Sequence, residues 1–165
     1  LEELLKACVS LANKKIGALI AIERAGSVLD HTEQGIDIDA RVSRDLLTSI
    51  FLPVSPIHDG AVVIQGSRVL KAGCLLPLSM RSEAAEAYGT RHRAAMGLTE
   101  ETDAVVVVVS EERGTISIAV DGEIEDDLGS NELRERLEAL FAPPSRLFFL
   151  RQPSQSSSDE SQAGA

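Results

Sequence analysis

Aromatic residues make up only 3% of this 165-residue chain, cysteine occurs twice, and Lys plus Arg number 16 against 26 Asp plus Glu. Each shortage excludes something. So few rings cannot build the stacking platform on which single-stranded nucleic acid is held. A formal net charge of -10 excludes broad, nonspecific attachment to nucleic acid or to an anionic membrane surface, and leaves open a local basic site for a small anion. Cys8 and Cys74 lie far apart, with no CxxC spacing and no set of cysteine or histidine ligands for a metal. That usage fits a reduced cytosolic compartment. No apolar run reaches the roughly 18 residues of a membrane span, and no signal-peptide pattern opens the chain. The chain begins on Leu1, with LEELLKACVSLA already at helical spacing, and so reads as a piece cut from a longer parent.

What is present suits one domain with a real core. Leu1, Leu4, Leu5, Cys8, Leu11 and Ala12 form one apolar face of a first helix. IGALIAI, residues 16–22, reads as a strand. Polar, glycine-containing sequence then leads to SRDLLTSIF, where Ser43 is placed to cap a short helix with Leu46, Leu47, Ile50 and Phe51 inward, stopped by Pro53 and Pro56. AVVIQ and RVLKAGCLLPL, residues 61–65 and 68–78, read as antiparallel strands joined at Gly66-Ser67. The run AVVVVV, 104–109, has no polar side and requires a strand covered on both faces. TISIAV follows across Arg113-Gly114, and Asp121-Gly122 is a third hairpin signal. A last helix is expected from a Ser130 cap through NELRERLEALF, with Leu133, Leu137 and Leu140 packed. Beyond Pro143-Pro144, RLFFL reads as a short docking strand, and residues 151–165 lack the apolar content to order. The expected fold is α/β: a single domain over 1–150, with a mixed β-sheet flanked by helices and a disordered tail.

Three segments carry candidate chemistry. In GTRHRAAMGL, Gly89 breaks the chain and Thr90 is a good N-cap, which places Arg91, His92 and Arg93 in a first helical turn, where the helix dipole disfavours cations by about 0.3–1 kcal/mol each. Glu100, Glu101 and Asp103 make the opposite end unfavourable too. A phosphate on the first-turn N–H groups and two guanidiniums would offset the violation; a solvated helix that tolerates the small penalty is an equal reading. In SPIHDGAVVI, Asp59-Gly60 follows a helix and two prolines rather than a strand, so a two-residue hairpin does not fit. A carboxylate beside glycine at the mouth of a strand can hold Mg²⁺ or accept a proton, while His58 either assists a metal or satisfies a loop hydrogen bond. In SEERG, Ser110 and Glu112 would share a side if extended and serve one ligand; a solvated acidic turn is the commoner outcome.

HDGA, GTRHRAA and VSEE, in that order and at these separations, resemble the diadenylate cyclase domain. The resemblance takes in IGALIAIE, GCLLPLS and GTRHRAAMGLTEETDA, covers roughly residues 1–141, and is nearest to the membrane-anchored CdaA-type enzymes. It implies condensation of two ATP molecules into cyclic di-AMP with release of two pyrophosphates, by a homodimer whose twofold interface brings two half-sites face to face. It implies that Asp59, Gly60 and Ala61 of the DGA motif lie near the ribose and α-phosphate. Thr90, Arg91, His92 and Arg93 would line the nucleotide and phosphate site, with Asp59, Arg91, His92 and Arg93 catalytic. Ser110 and Glu112 would lie near the phosphates, with His58, Asp59 and Glu112 toward a Mg²⁺ or Mn²⁺ ion, and backbone around Leu75 and Leu76 would meet the adenine edge. Leu75 stands where the family often has an aromatic, replacing stacking by aliphatic contact. The piece would be the cytosolic catalytic part, its membrane link lying only in a missing N-terminal anchor. A catalytically silent sensor of ATP or cyclic di-AMP is the alternative, against which an intact Asp59 and unbroken RHR favour an enzyme.

Overall fold

The computed structural model describes residues 1–143. In chain order the elements are α1 (Glu2–Asn13), β1 (Ala18–Ile22), a 3-10 turn (Leu29–His31), β2 (Glu33–Arg41), α2 (Arg44–Phe51), β3 (Ala61–Gln65), β4 (Arg68–Leu75), α3 (Ser82–Ala87), α4 (Thr90–Glu101), β5 (Val105–Val109), β6 (Ile116–Val120), β7 (Glu123–Glu125) and α5 (Ser130–Phe141). The strands form one seven-stranded sheet in the order β2-β4-β3-β1-β5-β6-β7. Only β1 and β3 pair in parallel; every other neighbouring pair is antiparallel. This is the mixed sheet flanked by helices that the sequence predicts.

The valine run explains the layering. Every residue of β5 and of its neighbour β1 is buried, because helices cover both faces. Side chains alternate across a strand, so Val105, Val107 and Val109 join Ile20, Ile22, Val62 and Ile64 beneath α1, α2 and α5. Val106 and Val108 join Leu19, Ala21 and Val63 beneath α4. Leu11, Leu47, Leu133 and Leu137, each at most 1% exposed, anchor the first layer, each worth about 1.5–3 kcal/mol of burial. Ser43 caps α2 as expected, accepting from the Leu46 amide at 3.1 Å.

Three expectations shift, and one helix is added. The polar stretch 33–41 is a strand: β2 pairs with β4 at the sheet edge, with a register shift between Asp37 and Ala40 and left-handed backbone at Gln34 and Asp39. Ile36, Ile38 and Ala40 alternate with Asp37 and Asp39, but the strand is a kinked, largely exposed edge whose stability comes from a distant partner. Gly89 and Gly129, rather than Thr90 and Ser130, are the N-caps of α4 and α5; Glu132 reaches back to accept from the Gly129 amide at 2.7 Å. Helix α3 joins the inventory. The RLFFL docking strand and the disordered tail lie outside the described residues.

The topology then places the ends. Because β5 runs antiparallel to β1, and β3 parallel to it, the C-terminal end of β5 lies beside the N-terminal ends of β1 and β3. Asp59-Gly60, Gly17 and Ser110, nearly a hundred residues apart in sequence, therefore share one edge of the sheet.

Candidate functional site

At that edge lies a cavity of about 750 Å³, whose walls include His58, Asp59, Thr90, Arg91, His92, Ser110, Glu112 and Arg113. Gly60, immediately before β3, has φ 127°, and a Cβ there would stand 2.7 Å from the Gly73 carbonyl carbon of β4. Only glycine allows β3 to start this close to β4, and Asp59 is thereby held at the strand mouth. Its carboxylate makes no hydrogen bond to another described residue, so both oxygens are available. His58 is turned by a loop bond, with Nδ1 2.7 Å from the Ser55 carbonyl; Nδ1–H donates, and Nε2 is left as an acceptor or ligand. The loop hydrogen bond and the ligand reading are thus compatible.

Helix α4 brings its N-terminus to the cavity without a side-chain cap. Arg91 lies across Gly17, where a Cβ would meet its Cζ at 2.5 Å, and Nη1 stands 3.5 Å from Glu111 Oε1. Part of the charge misfit at the helix start is therefore relieved within the protein. The misfit at the other end is relieved as well. Asp103 accepts from the amides of Ala25 and Gly26 at 3.0 and 3.1 Å, Glu100 accepts from Ser79 Oγ at 2.6 Å, and Glu101 stands 3.1 Å from His31 Nδ1. Those carboxylates hold neighbouring segments in place.

Arg93 is not brought to the cavity. Positions two apart on a helix point about 200° apart, so Arg93 turns away from Arg91; its Nη2 donates to the Ser79 carbonyl at 3.4 Å, and its Nε is buried without a partner. It braces the Leu75–Ser79 segment instead. Arg113 supplies the second guanidinium of the cavity wall. Ser110 and Glu112 reach the same wall by a route other than extended chain: residues 111–113 form a turn in which Ser110 Oγ accepts from the Arg113 amide at 3.3 Å and the Ser110 carbonyl from the Gly114 amide at 2.9 Å. Ala61 is buried at the start of β3, while Leu75 is 46% exposed at the end of β4 and Leu76 packs into the core under α4. None of these three, nor Gly60, lines the cavity itself.

His92 is largely enclosed at the helix start, its side chain 14% exposed. Tyr88 stacks on it with ring centroids 5.5 Å apart, and Nε2 is 3.3 Å from Ser117 Oγ, which lies 2.5 Å from Asp126 Oδ1. Burial holds the imidazole pKa below its ordinary value; Asp126 opposes that, and Arg113 and Arg91 add to it. Tyr88 is pushed up, by burial and by the Asp126 carboxylate. Tyr88, Ser117 and Asp126 were not singled out in the sequence. The readable signal was Ser117, a hydroxyl inside the apolar run ISIAV.

The charges of this wall are mixed. Asp59, Glu111, Glu112 and Asp126 stand with Arg91 and Arg113, so a polyphosphate entering here would meet carboxylates that repel it unless a cation lies between. Among the described residues no three His, Cys, Asp or Glu side chains gather into a metal centre of their own. The donor set fits a divalent ion shared with phosphate oxygens, the manner in which Mg²⁺ is usually held.

Comparison with known proteins shows the family and the fold. The profile of the family described as DAC, DisA bacterial checkpoint controller nucleotide-binding, matches residues 5–124. The chain is 42% identical over 146 residues to the cyclic di-AMP synthase CdaA of Bacillus subtilis, covering 88% of this chain and 54% of that protein. It is 42% identical over 137 residues to a diadenylate cyclase of Listeria monocytogenes, covering 83% and 50%. The chain thus spans about half the length of these curated relatives. Among solved structures, an engineered double mutant of DacA from Staphylococcus aureus superposes with a TM-score of 0.82 at 39% identity, covering 86% of this chain and 95% of that one. A protein from Bacillus cereus described as a hypothetical membrane spanning protein gives 0.75 at 38% identity, covering 78% and 63%. No helix among the described residues is long and apolar enough to cross a membrane.

Proposed function

The chain belongs to the DAC family of diadenylate cyclase domains, and from that membership we propose that it condenses two ATP molecules into cyclic di-AMP at the interface of a face-to-face homodimer. The observation that carries the reading is convergence: Asp59, the start of α4 and the Ser110–Arg113 turn come from three separate segments and face one cavity. Each 3′-hydroxyl attacks the other nucleotide's α-phosphorus, forming the P–O3′ bond as the bond to pyrophosphate breaks in line, so two pyrophosphates leave for one ring. One protomer offers one Asp59 and one Arg91. A twofold pair offers two of each, facing, with the symmetry of the product.

Asp59, with both carboxylate oxygens free, accepts the proton of the attacking hydroxyl. Arg91 and Arg113 stabilise the negative charge that builds on the phosphate oxygens, and His92 donates a hydrogen bond to one of them. Thr90 and the first-turn amides of α4 orient the phosphates. Gly60 and Ala61 keep backbone close to the ribose, and the chain at Leu75 and Leu76 supplies an aliphatic adenine edge. Asp59, Glu112 and His58 Nε2 would hold a Mg²⁺ or Mn²⁺ ion, which when bound withdraws charge from the phosphates. Arg93 serves this site from behind, through the Ser79 carbonyl. The domain is the cytosolic catalytic part of a membrane-anchored parent, as in the CdaA-type enzymes it resembles.

Incubation of the purified domain with ATP and either metal, followed by chromatography, tests this. Cyclic di-AMP and pyrophosphate in a one-to-two ratio are expected, with the rate per protomer falling as dilution dissociates the dimer. ATP binding without product under both metals would make the domain a nucleotide sensor.

A further inference from the structure

Ser117 sits in β6 among Ile116, Ile118 and Ala119, wholly buried, on the face that packs against α4. Nothing about the core asks for a hydroxyl there; Ala119, two residues along on the same face, shows what the packing needs. Its Oγ lies 2.5 Å from Asp126 Oδ1 and 3.3 Å from His92 Nε2. A hydroxyl has one proton, and an ionised carboxylate can only accept. The Ser117 proton therefore goes to Asp126, and its oxygen is left to accept from His92, so Nε2 carries hydrogen. Nδ1, which has no hydrogen-bond partner among the described residues, is the ring nitrogen left for a ligand. Stacking on Tyr88 limits rotation of the ring out of this plane.

We infer that Asp126, acting through Ser117, is a positioning residue for His92: it fixes the Nε2–H form and presents Nδ1 to a phosphate oxygen of the bound nucleotide. The inference rests on the cyclase reading for what the nucleotide undergoes, and on the hydrogen-bond geometry alone for the ring. Donating from Nδ1 while Nε2–H stays on Ser117 requires a proton on both nitrogens. That proton is taken from solvent as the anionic nucleotide binds, and the resulting imidazolium faces Asp126 across Ser117. In the free protein the ring is kept neutral by burial, with the Asp126 carboxylate opposing and the Arg113 and Arg91 guanidiniums adding to the effect. His92 then charges when phosphate arrives, because the phosphate brings an anionic acceptor to Nδ1, which has no partner among the described residues of the free protein. Apart from this proton transfer from solvent to Nδ1, only hydrogen bonds form, and no covalent bond joins nucleotide and protein.

The test uses protein labelled with ¹⁵N in its three histidines, His31, His58 and His92. The His92 shifts should report the Nε2–H tautomer in the free wild type, and Ser117→Ala should let the ring redistribute between tautomers. In turnover assays Asp126→Asn, which keeps the shape and removes the charge, should lower kcat by about 10- to 100-fold with KM for ATP within about threefold. Asp126→Glu should recover part of the loss. A wild-type ring protonated at Nδ1 overturns the inference. So does an Asp126→Asn kcat within about twofold of wild type, or a rise in KM that matches the fall in kcat. A merely structural Asp126 would show a lowered unfolding midpoint, no tautomer change in Ser117→Ala and no recovery with Glu. Should wild type make no cyclic product at all, the cyclase reading falls, and the tautomer measurement still judges the relay.

Discussion

The sheet carries a cavity at each end of β1 and β3, of nearly equal size and opposite chemistry. Beyond the last residues of these strands, an apolar groove of about 810 Å³ is lined by Leu4, Ile22, Val42, Ile64, Leu137 and Phe141, with Glu23 at its wall. Before their first residues, the cavity of about 750 Å³ holds Asp59, Arg91 and His92. Volume does not separate them; the use already made of their polar groups does. Glu23 accepts from the Val28 amide, Ser27 Oγ and Gln65 Nε2 at 2.9, 3.2 and 2.8 Å, and its carboxylate is consumed in holding β1, β3 and the following turn together. Asp59 has no such partner among the described residues. A polar group with its hydrogen bonds filled by the fold is architecture, and one left open at a strand mouth is available to a substrate.

The difference is sharpest under substitution at Asp59. Asp59→Asn removes the proton acceptor while keeping size and shape, so turnover should fall by about 10³- to 10⁴-fold, with the ATP dissociation constant, read by calorimetry, changed little. Equal loss of binding and turnover would make Asp59 a binding residue and blunt the contrast with Glu23.

At the opposite end the effect should fall on the fold. Leu137 is 1% exposed on α5 and also faces the groove; Leu137→Ala should cost about 2–5 kcal/mol in urea denaturation, with kcat per folded protomer unchanged. A change in kcat exceeding the change in folded fraction would mean that the two ends communicate through β1 and β3.

The same contrast separates what the sequence disclosed from what it hid. The strands of the sheet centre were legible because IGALIAI, AVVIQ and AVVVVV carry their burial in their own composition. Strand β2 was not, since the short alternation of Ile36, Ile38 and Ala40 is surrounded by polar residues, and EQGIDIDAR is held by pairing with β4 thirty-odd residues away, with a register shift between Asp37 and Ala40. In the site, the oddities of charge at α4 and of Asp59-Gly60 after two prolines were visible as local misfits. How the misfits resolve depended on tertiary partners: Glu111 for Arg91, the Ser79 carbonyl for Arg93, and the amides of Ala25 and Gly26 for Asp103. Arg93 is the instructive case, because helical geometry alone places it away from Arg91, although the motif sets the two side by side in writing. Asp126 lay out of reach for a different reason: only the β6–β7 hairpin brings it to within 3.9 Å of His92 Nε2, with the buried Ser117 hydroxyl bonded to both.

A subtler break at the polar end is Gly17→Ala. The added Cβ would meet the guanidinium of Arg91 at 2.5 Å, the far end of a flexible side chain, so the fold can yield and stability should change by less than about 1 kcal/mol. Arg91 cannot keep its place. Loss of one charge-assisted contact to phosphate should lower kcat/KM by about tenfold. If activity holds, Arg91 reaches the nucleotide from another direction, and its position over Gly17 belongs to the free protein alone.

The smallest effect concerns protons. Burial depresses the pKa of His92, so between its folded value and about 6.5, the ordinary value, the unfolded chain holds more protons than the folded one. Stability therefore rises with pH across that window and is lost as pH falls through it. His92→Gln should flatten this part of the stability curve relative to wild type, whereas Leu137→Ala should shift the whole curve down with its slope intact. Nucleotide reverses the sign at the polar end, because phosphate favours the charged ring. With a non-hydrolysable ATP analogue, proton uptake should appear as a binding enthalpy that depends on the ionisation heat of the buffer, and should vanish in His92→Gln. Identical buffer dependence in the two proteins would assign the proton to another group of the cavity, and His92 would remain neutral beside the phosphates.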